Sequence, residues 1–347
     1  MASTTVDAPA QSALAPRIRS AAPGTVIAVA AAMVSMAVGM LVPGLSAMLL
    51  AIILGVVAAN TGLIRAPLAP GISFAAKHLL RAGIVLLGLQ LMLGDIVALG
   101  GPILLVVLTI VGGGIFGTLA LGRLFGVPRQ LRLLIACGFS ICGAAAVAGT
   151  AGVTDPDDEH EQDTVTAVAL VVIFGTIMIF AVPGLATLLG LDARMGGMWA
   201  GGSTHEIAQV VAIGGIVGGG ALTVAVLVKL ARVLLLAPVM AVLSIRARRE
   251  AAAHAEQSAP KLPPILPLFI VGFLAAVLLR SFVPLPTMAL DLAGQLQTVL
   301  LAAAMFGLGC GVRVAQLRKV GARPFALAAA ATVLVAGIAL GGVLVAA

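Results

Sequence analysis

The sequence predicts an all-α polytopic membrane protein with about nine to eleven transmembrane segments, inverted repeats and two interrupted or re-entrant helices. Three observations predict it. Of 347 residues, 61% are hydrophobic and 10% charged, with a mean hydropathy of +1.20; soluble domains carry about 25% charged residues. The apolar residues gather in runs near the length that crosses a bilayer, about 20 helical residues. Lys and Arg fall between the runs, on alternate connections. A soluble globule could not hide this much apolar surface, so a soluble enzyme, a nucleic-acid-binding domain and a disordered chain are excluded. The net charge of +7 then reads as loop bias, and the expected partner is the lipid bilayer.

Residues 1–24 are polar and small, carry Arg17 and Arg19, and show no cleavage signal, so they read as a cytoplasmic tail. Residues 25–347 read as one transmembrane domain. Its apolar spans are 25–42, 44–59, 79–93, 100–122, 132–152, 165–190, 196–217, 221–243, 264–280, 294–312 and 325–346. The basic connections hold Arg65 and Lys77; Arg123, Arg129 and Arg132; Arg246, Arg248, Arg249 and Lys261; and Arg313, Arg318, Lys319 and Arg323. The opposite connections hold Asp95, Asp291 and Arg280. This asymmetry places the N-terminus inside and the C-terminus outside. Cys137, Cys142 and Cys310 sit within apolar stretches and read as reduced thiols.

A weak internal repeat pairs CGFSICGAAAV (137–147) with AGGSTHEIAQV (200–210), aligning Ser140 with Ser203. A second pairs 86–102 with 305–324 through Gly88-Leu89 and Gly307-Leu308. If 132–152 and 196–217 are both re-entrant, each dips to the midplane on limbs of about ten residues, and every repeat pair is inverted. If they cross as broken helices, the acidic loop 154–163 moves to the outside. Inverted repeats with interrupted helices are the usual build of secondary transporters. Resemblance between small-residue helices by composition alone is the competing explanation.

Polar groups deep in apolar spans carry the functional signal, because each is costly there unless paired or wetted. His205 and Glu206 lie mid-span behind Gly-Gly-Ser. HEIAQ lacks the second His of a zinc helix, since Gln209 stands in its place. The pair is either a titrating coupling group or a structural bond to neighbouring helices. Lys229 and Arg232 share one helix face too deep to snorkel; they meet Glu206, another polar group or an anion, or form a structural ion pair. Arg81, near the start of its span, can snorkel and reads as structural. Gln90 lines a polar path or bonds a neighbouring helix. Ser140 and Ser203 stand where N-caps would, so half-helices starting there, flanked by Cys142 and Thr204, would aim N–H groups at the membrane centre and form an anion site. Close packing at the glycines is the plainer alternative. The stretch 154–163 reads as a solvated loop; as a calcium loop it is poor, with His160 at the turn glycine.

The motifs LLRAGIVLLGLQL, IACGFSICGAAAV, WAGGSTHEIAQVVA, KLARVLLLAP and AAAMFGLGCGV resemble, in that order, the YeiH-like bacterial inner-membrane proteins, a family named for sulfate export. The resemblance covers about residues 40–340 and is most specific at WAGGSTHEIAQVV. This sequence departs at Gly202, where the family more often has Thr, and at Ala144, where it more often has Ser. The resemblance implies a bacterial inner-membrane secondary transporter similar in plan to cation–proton antiporters.

The reading is therefore a secondary transporter exporting a small inorganic or sulfur-containing anion, coupled to protons or sodium. Ser140 and Ser203 would cap, Lys229 and Arg232 would offset substrate charge, and His205 or Glu206 would titrate. The alternative is a cation–proton antiporter with Glu206 as cation ligand and Lys229 as structural counter-ion. No catalytic dyad, metal set or phosphate loop stands at usable spacing, so no enzyme activity, cofactor or metal is expected. A homodimer stays open.

Overall fold

The computed structural model describes residues 14–41, 47–155, 159–253, 267–313 and 321–346, and every regular element among them is a helix. The tail before Leu14, Asp157, Lys261, Arg318 and Lys319 lie outside the described residues. In chain order the helices are α1 (Leu14–Leu41), α2 (Ala47–Asn60), α3 (Ala66–Gln90), α4 (Leu93–Ala98), α5 (Gly101–Leu124), α6 (Arg129–Ser140) and α7 (Ala144–Thr154). There follow α8 (Glu161–Leu188), α9 (Ala193–Ser203), α10 (Ile207–Val217), α11 (Ala221–Leu234), α12 (Leu236–Ala253), α13 (Leu268–Phe282), α14 (Thr287–Gly311) and α15 (Ala322–Ala346). Seven helical stretches among the described residues are long and apolar enough to cross a membrane. The protein is an all-α polytopic membrane protein.

The third helix corrects the expected span 79–93. It starts at Ala66, because Pro67 and Pro70 fall in opening turns where the absent N–H is no loss, while Ser73, Lys77 and His78 only dilute the hydropathy. Lys77 is therefore inside a helix and not on a connection. A π-helical turn, Ala75–Leu79, swells the helix just ahead of Arg81. Arg81 lies about 22 Å along the axis from the start of this helix and about 14 Å from its end, and so not near the start of its span.

Both interrupted segments fold back on themselves. Gln130, at the start of α6, donates to the hydroxyl of Thr154, at the end of α7, over 2.8 Å; a continuous helix would part them by about 36 Å. Likewise Gly196, near the start of α9, packs against Val217, the last residue of α10, and Ala193 abuts Gly219. The first reversal depends on Gly143, whose φ of +73° suits glycine alone; a side chain there would also strike the Glu206 carboxylate. Helix α8, 28 residues long or about 42 Å, carries the chain from the base of one hairpin to the base of the other. The hairpins thus open at opposite ends of the bundle, and their tips meet inside it.

Packing sorts the helices into two groups. Helices α1, α2, α3, α13 and α14 pack on one another, while α5, α8, α11 and α15 enclose the two hairpins. Glycines allow the closest approaches: α9 lies on α11 with Gly197 against the Ala221 backbone and Gly201 against Ala225. A Gln130→Cys, Thr154→Cys pair in a background lacking the native cysteines should be joined by a short dithiol cross-linker. Failure to cross-link in the folded protein would mean that the segment does not reverse.

Candidate functional site: the meeting of two hairpin tips

Helix breaks leave carbonyls at one helix end and N–H groups at the next without partners. Here each set meets a side chain of the complementary charge. Lys229 and Arg232 project from α11, and both are fully buried. The Lys229 ammonium donates to the carbonyls of Ile141 (2.9 Å), Thr204 (2.8 Å) and His205 (2.6 Å). Arg232 donates through Nε to Ser140 (3.2 Å) and through Nη2 to Phe139 (3.0 Å) and Ser140 (2.9 Å). Its Nη1 donates to Gly201 (2.9 Å), Gly202 (2.7 Å) and Thr204 (2.9 Å). The acceptors belong to the C-terminal ends of α6 and α9 and the turns after them, where the helix dipole is negative. Backbone carbonyls are the partners that buried cations find in membranes.

Every ammonium and guanidinium nitrogen is thereby engaged by backbone, and neither cation pairs with Glu206 among the described residues. The two side chains act as one clasp across both tips. Truncating Arg232 would orphan several buried carbonyls, each worth about 1–3 kcal/mol.

Glu206 sits on the other side of the crossing, at the N-terminal ends. Its Oε1 accepts from the N–H of Ala144, the first residue of α7, at 2.7 Å. It also caps its own helix: its side chain accepts from the backbone of Gln209, whose Oε1 accepts from Glu206 N–H at 3.1 Å. One carboxylate thus bridges the positive ends of α7 and α10. The expected capping by serine is corrected. Ser140 and Ser203 end α6 and α9, four residues before the next helices begin, and their buried hydroxyls make no hydrogen bond. Thr204 offers its carbonyl to both cations while its hydroxyl is likewise unpartnered.

His205 is fully buried beside Phe139, ring centroids 4.3 Å apart. Its Nδ1 lies 3.3 Å from the Phe139 carbonyl and its Nε2 3.2 Å from the Thr332 hydroxyl. A carbonyl only accepts, which puts a proton on Nδ1. The Thr332 hydroxyl, 2.8 Å from the Ala328 carbonyl, donates to that carbonyl when Nε2 is protonated and to Nε2 when it is not. Cys142 is half-buried in the first break. Gln90 stands apart: its amide bonds Gln297 of α14.

Sequence reasoning thus found Ser140, Cys142, Ser203, Thr204, His205, Glu206, Gln209, Lys229 and Arg232 at the crossing, but not their arrangement. It missed Thr332, a hydroxyl in an apolar span that deserved the same weight as Gln90. The two departures from the family pattern have different surroundings. A side chain at Gly202 would meet Ala339 at 2.9 Å and Ile110 at 3.1 Å, whereas Ala144 contributes only backbone to Glu206.

The family model described as conserved hypothetical protein 698 matches residues 23–328. A UPF0324 membrane protein of Corynebacterium glutamicum is 56% identical over 322 residues, covering 93% of this chain and 92% of that relative. The chain belongs to the UPF0324 membrane-protein family. The same family includes the inner membrane protein YeiH of Salmonella typhi, 39% identical over 86% of this chain and 84% of its own, which bears out the YeiH-like resemblance. The membrane protein TauZ of Paracoccus pantotrophus, 38% identical, is covered to 86%, against 84% of this chain. No solved structure matches the chain significantly.

Because Lys cannot reproduce a fork of six contacts, Arg232→Lys should lower the midpoint of thermal unfolding in detergent by several degrees. Glu206→Gln, whose amide oxygen can still accept from Ala144, should leave it nearly unchanged. Equal losses in both variants would contradict the division between clasp and cap.

Proposed function

We propose that the protein is a secondary active transporter that exports a small inorganic or sulfur-containing anion, coupled to protons or sodium. The observation that carries this reading is the carboxylate of Glu206 seated on the N-terminal N–H of α7. Such a helix end is an anion site, and here a tethered anion holds it while Lys229 and Arg232 are fixed at the opposite helix ends. A free anion takes that position only when the carboxylate withdraws or is neutralised by a proton. Anion binding and protonation then become two sides of one exchange.

On this reading the two hairpins are re-entrant, inverted copies that reach the midplane from opposite faces. Interrupted helices meeting there are how many secondary transporters build a site reachable from each side in turn. The bias of Lys and Arg places the base of the first hairpin in the cytoplasm. Membrane proteins among the relatives are consistent with this setting.

Labelled sulfate flux into proteoliposomes, with and without an imposed pH gradient, tests the proposal. Gradient-dependent flux is expected, and Glu206→Gln should abolish the dependence. No flux from demonstrably folded protein removes sulfate as substrate. Unchanged coupling in the variant removes the role of Glu206.

One observation favours a second reading, a cation–proton antiporter. Lys229 and Arg232 spend their donors on backbone, as structural counter-ions would, which leaves Glu206 as the carboxylate to exchange proton for cation. Sodium- or potassium-dependent proton flux indifferent to sulfate would select it.

A further inference from the structure

A cavity of about 420 Å³ lies between the two helix groups. One wall is α3, α13 and α14, represented by Arg81, Phe269 and Cys310; the other is the outer flank of the first hairpin, from Ala148 to Gly152, with the start of α8. Its volume is in the range that holds a small ligand.

Among the described residues Lys77, Arg81 and Arg313 line it together with the carboxylate of Glu161. Arg81 pairs with no carboxylate among the described residues. Its guanidinium lies 5.8 Å from the centroid of the Phe269 ring, a cation–π distance, and Nη2 lies 3.1 Å from where a side chain on Gly152 would begin. The π turn at Ala75–Leu79 shifts the register of α3 just before it, a feature frequent at functional sites. Any longer residue at 152 would crowd the guanidinium out of the space between the groups.

Ala145, Ala148 and Ala151 recur every third residue along α7, Cys142 lies in the turn before it, and all four are partly exposed. This row of small side chains runs from the cavity wall at Ala151 and Ala148 to the tip, where Glu206 is also partly exposed.

We infer that the cavity is an anion-loading site, in which Arg81 receives a small oxoanion before it moves along α7 to the hairpin tips. Arg313 adds positive charge to the cavity lining, and the Phe269 ring holds the Arg81 guanidinium in the cavity, its donors turned to the oxoanion oxygens. The inference rests on the transport reading for its direction, but the site itself is testable without transport. An oxoanion group could also come from an anionic lipid, and the experiment separates the two sources.

Cys310 lines the cavity and serves as reporter. In vesicles of neutral phosphatidylcholine, its modification by an anionic and by a cationic methanethiosulfonate is followed by peptide mass spectrometry. The anionic reagent should react faster. Arg81→Gln should slow the anionic reagent and speed the cationic one by up to about fivefold each, the effect of one unit charge at close range in aqueous surroundings, and so lower the ratio of the two rates; Arg81→Lys should keep it. Millimolar sulfate should slow the anionic reagent in the native protein and not in Arg81→Gln. If Arg81→Gln does not fold, Glu161→Lys should raise the ratio instead.

An unreactive Cys310, a ratio unmoved by either change, or no protection by sulfate overturns the site. Protection by sulfate that disappears when anionic lipid is added assigns the cavity to a lipid headgroup and also overturns it. Labelling that behaves as expected with no sulfate flux removes the transport reading and leaves the site; flux with failed labelling removes the site alone.

Discussion

A helix broken inside a membrane exposes backbone groups that lipid cannot solvate, each at a cost of several kcal/mol. Most of what is unusual in this protein follows from meeting that cost twice, in one place. Two hairpins turn back within the bundle, and at each turn one helix ends and another begins. The carbonyl ends of α6 and α9 are brought together on Lys229 and Arg232; the N–H ends of α7 and α10 are brought together on Glu206. The charges are sorted by helix polarity, so neither the clasp nor the cap can be exchanged for the other. Buried charges of both signs persist because the backbone itself is their counter-charge.

The membrane class and the two interruptions were legible in composition and in the paired glycine-serine stretches, and the buried cations were legible from Lys229 and Arg232 lying deep in an apolar run. Their ligands were not. A sequence displays side chains, and the partners here are carbonyls of Phe139, Ser140, Ile141, Gly201, Gly202, Thr204 and His205, which no residue type announces. The serines illustrate the same limit. A serine before an apolar run looks like a cap, yet Ser140 and Ser203 fall at the ends of the preceding helices, and the cap on α7 comes from Glu206, 62 residues away from Ala144. Helix α3 was misjudged for another reason. Polar Ser73 and Lys77 line the cavity between the helix groups and His78 stacks on Phe74, so hydropathy alone placed its start too late and put Arg81 near the start of the span.

The clasp and the cap also differ in what they allow. Six guanidinium contacts and three ammonium contacts form a joint that has nothing left to offer a ligand. The carboxylate of Glu206 holds α7 by a single hydrogen bond, and the residue is partly exposed. On the proposed transport reading, rigidity belongs to the cations and exchange to the carboxylate, which is the reverse of the simplest expectation for an anion site, in which basic side chains do the binding.

The measurement closest to this claim is an infrared difference spectrum of the reconstituted protein, recorded with and without sulfate. Displacement of the Glu206 carboxylate from the end of α7 predicts a change in the carboxylate or protonated carboxyl stretch that disappears in Glu206→Gln. A spectrum without a carboxyl change, under conditions where sulfate is bound, would mean that the anion and Glu206 do not share a site.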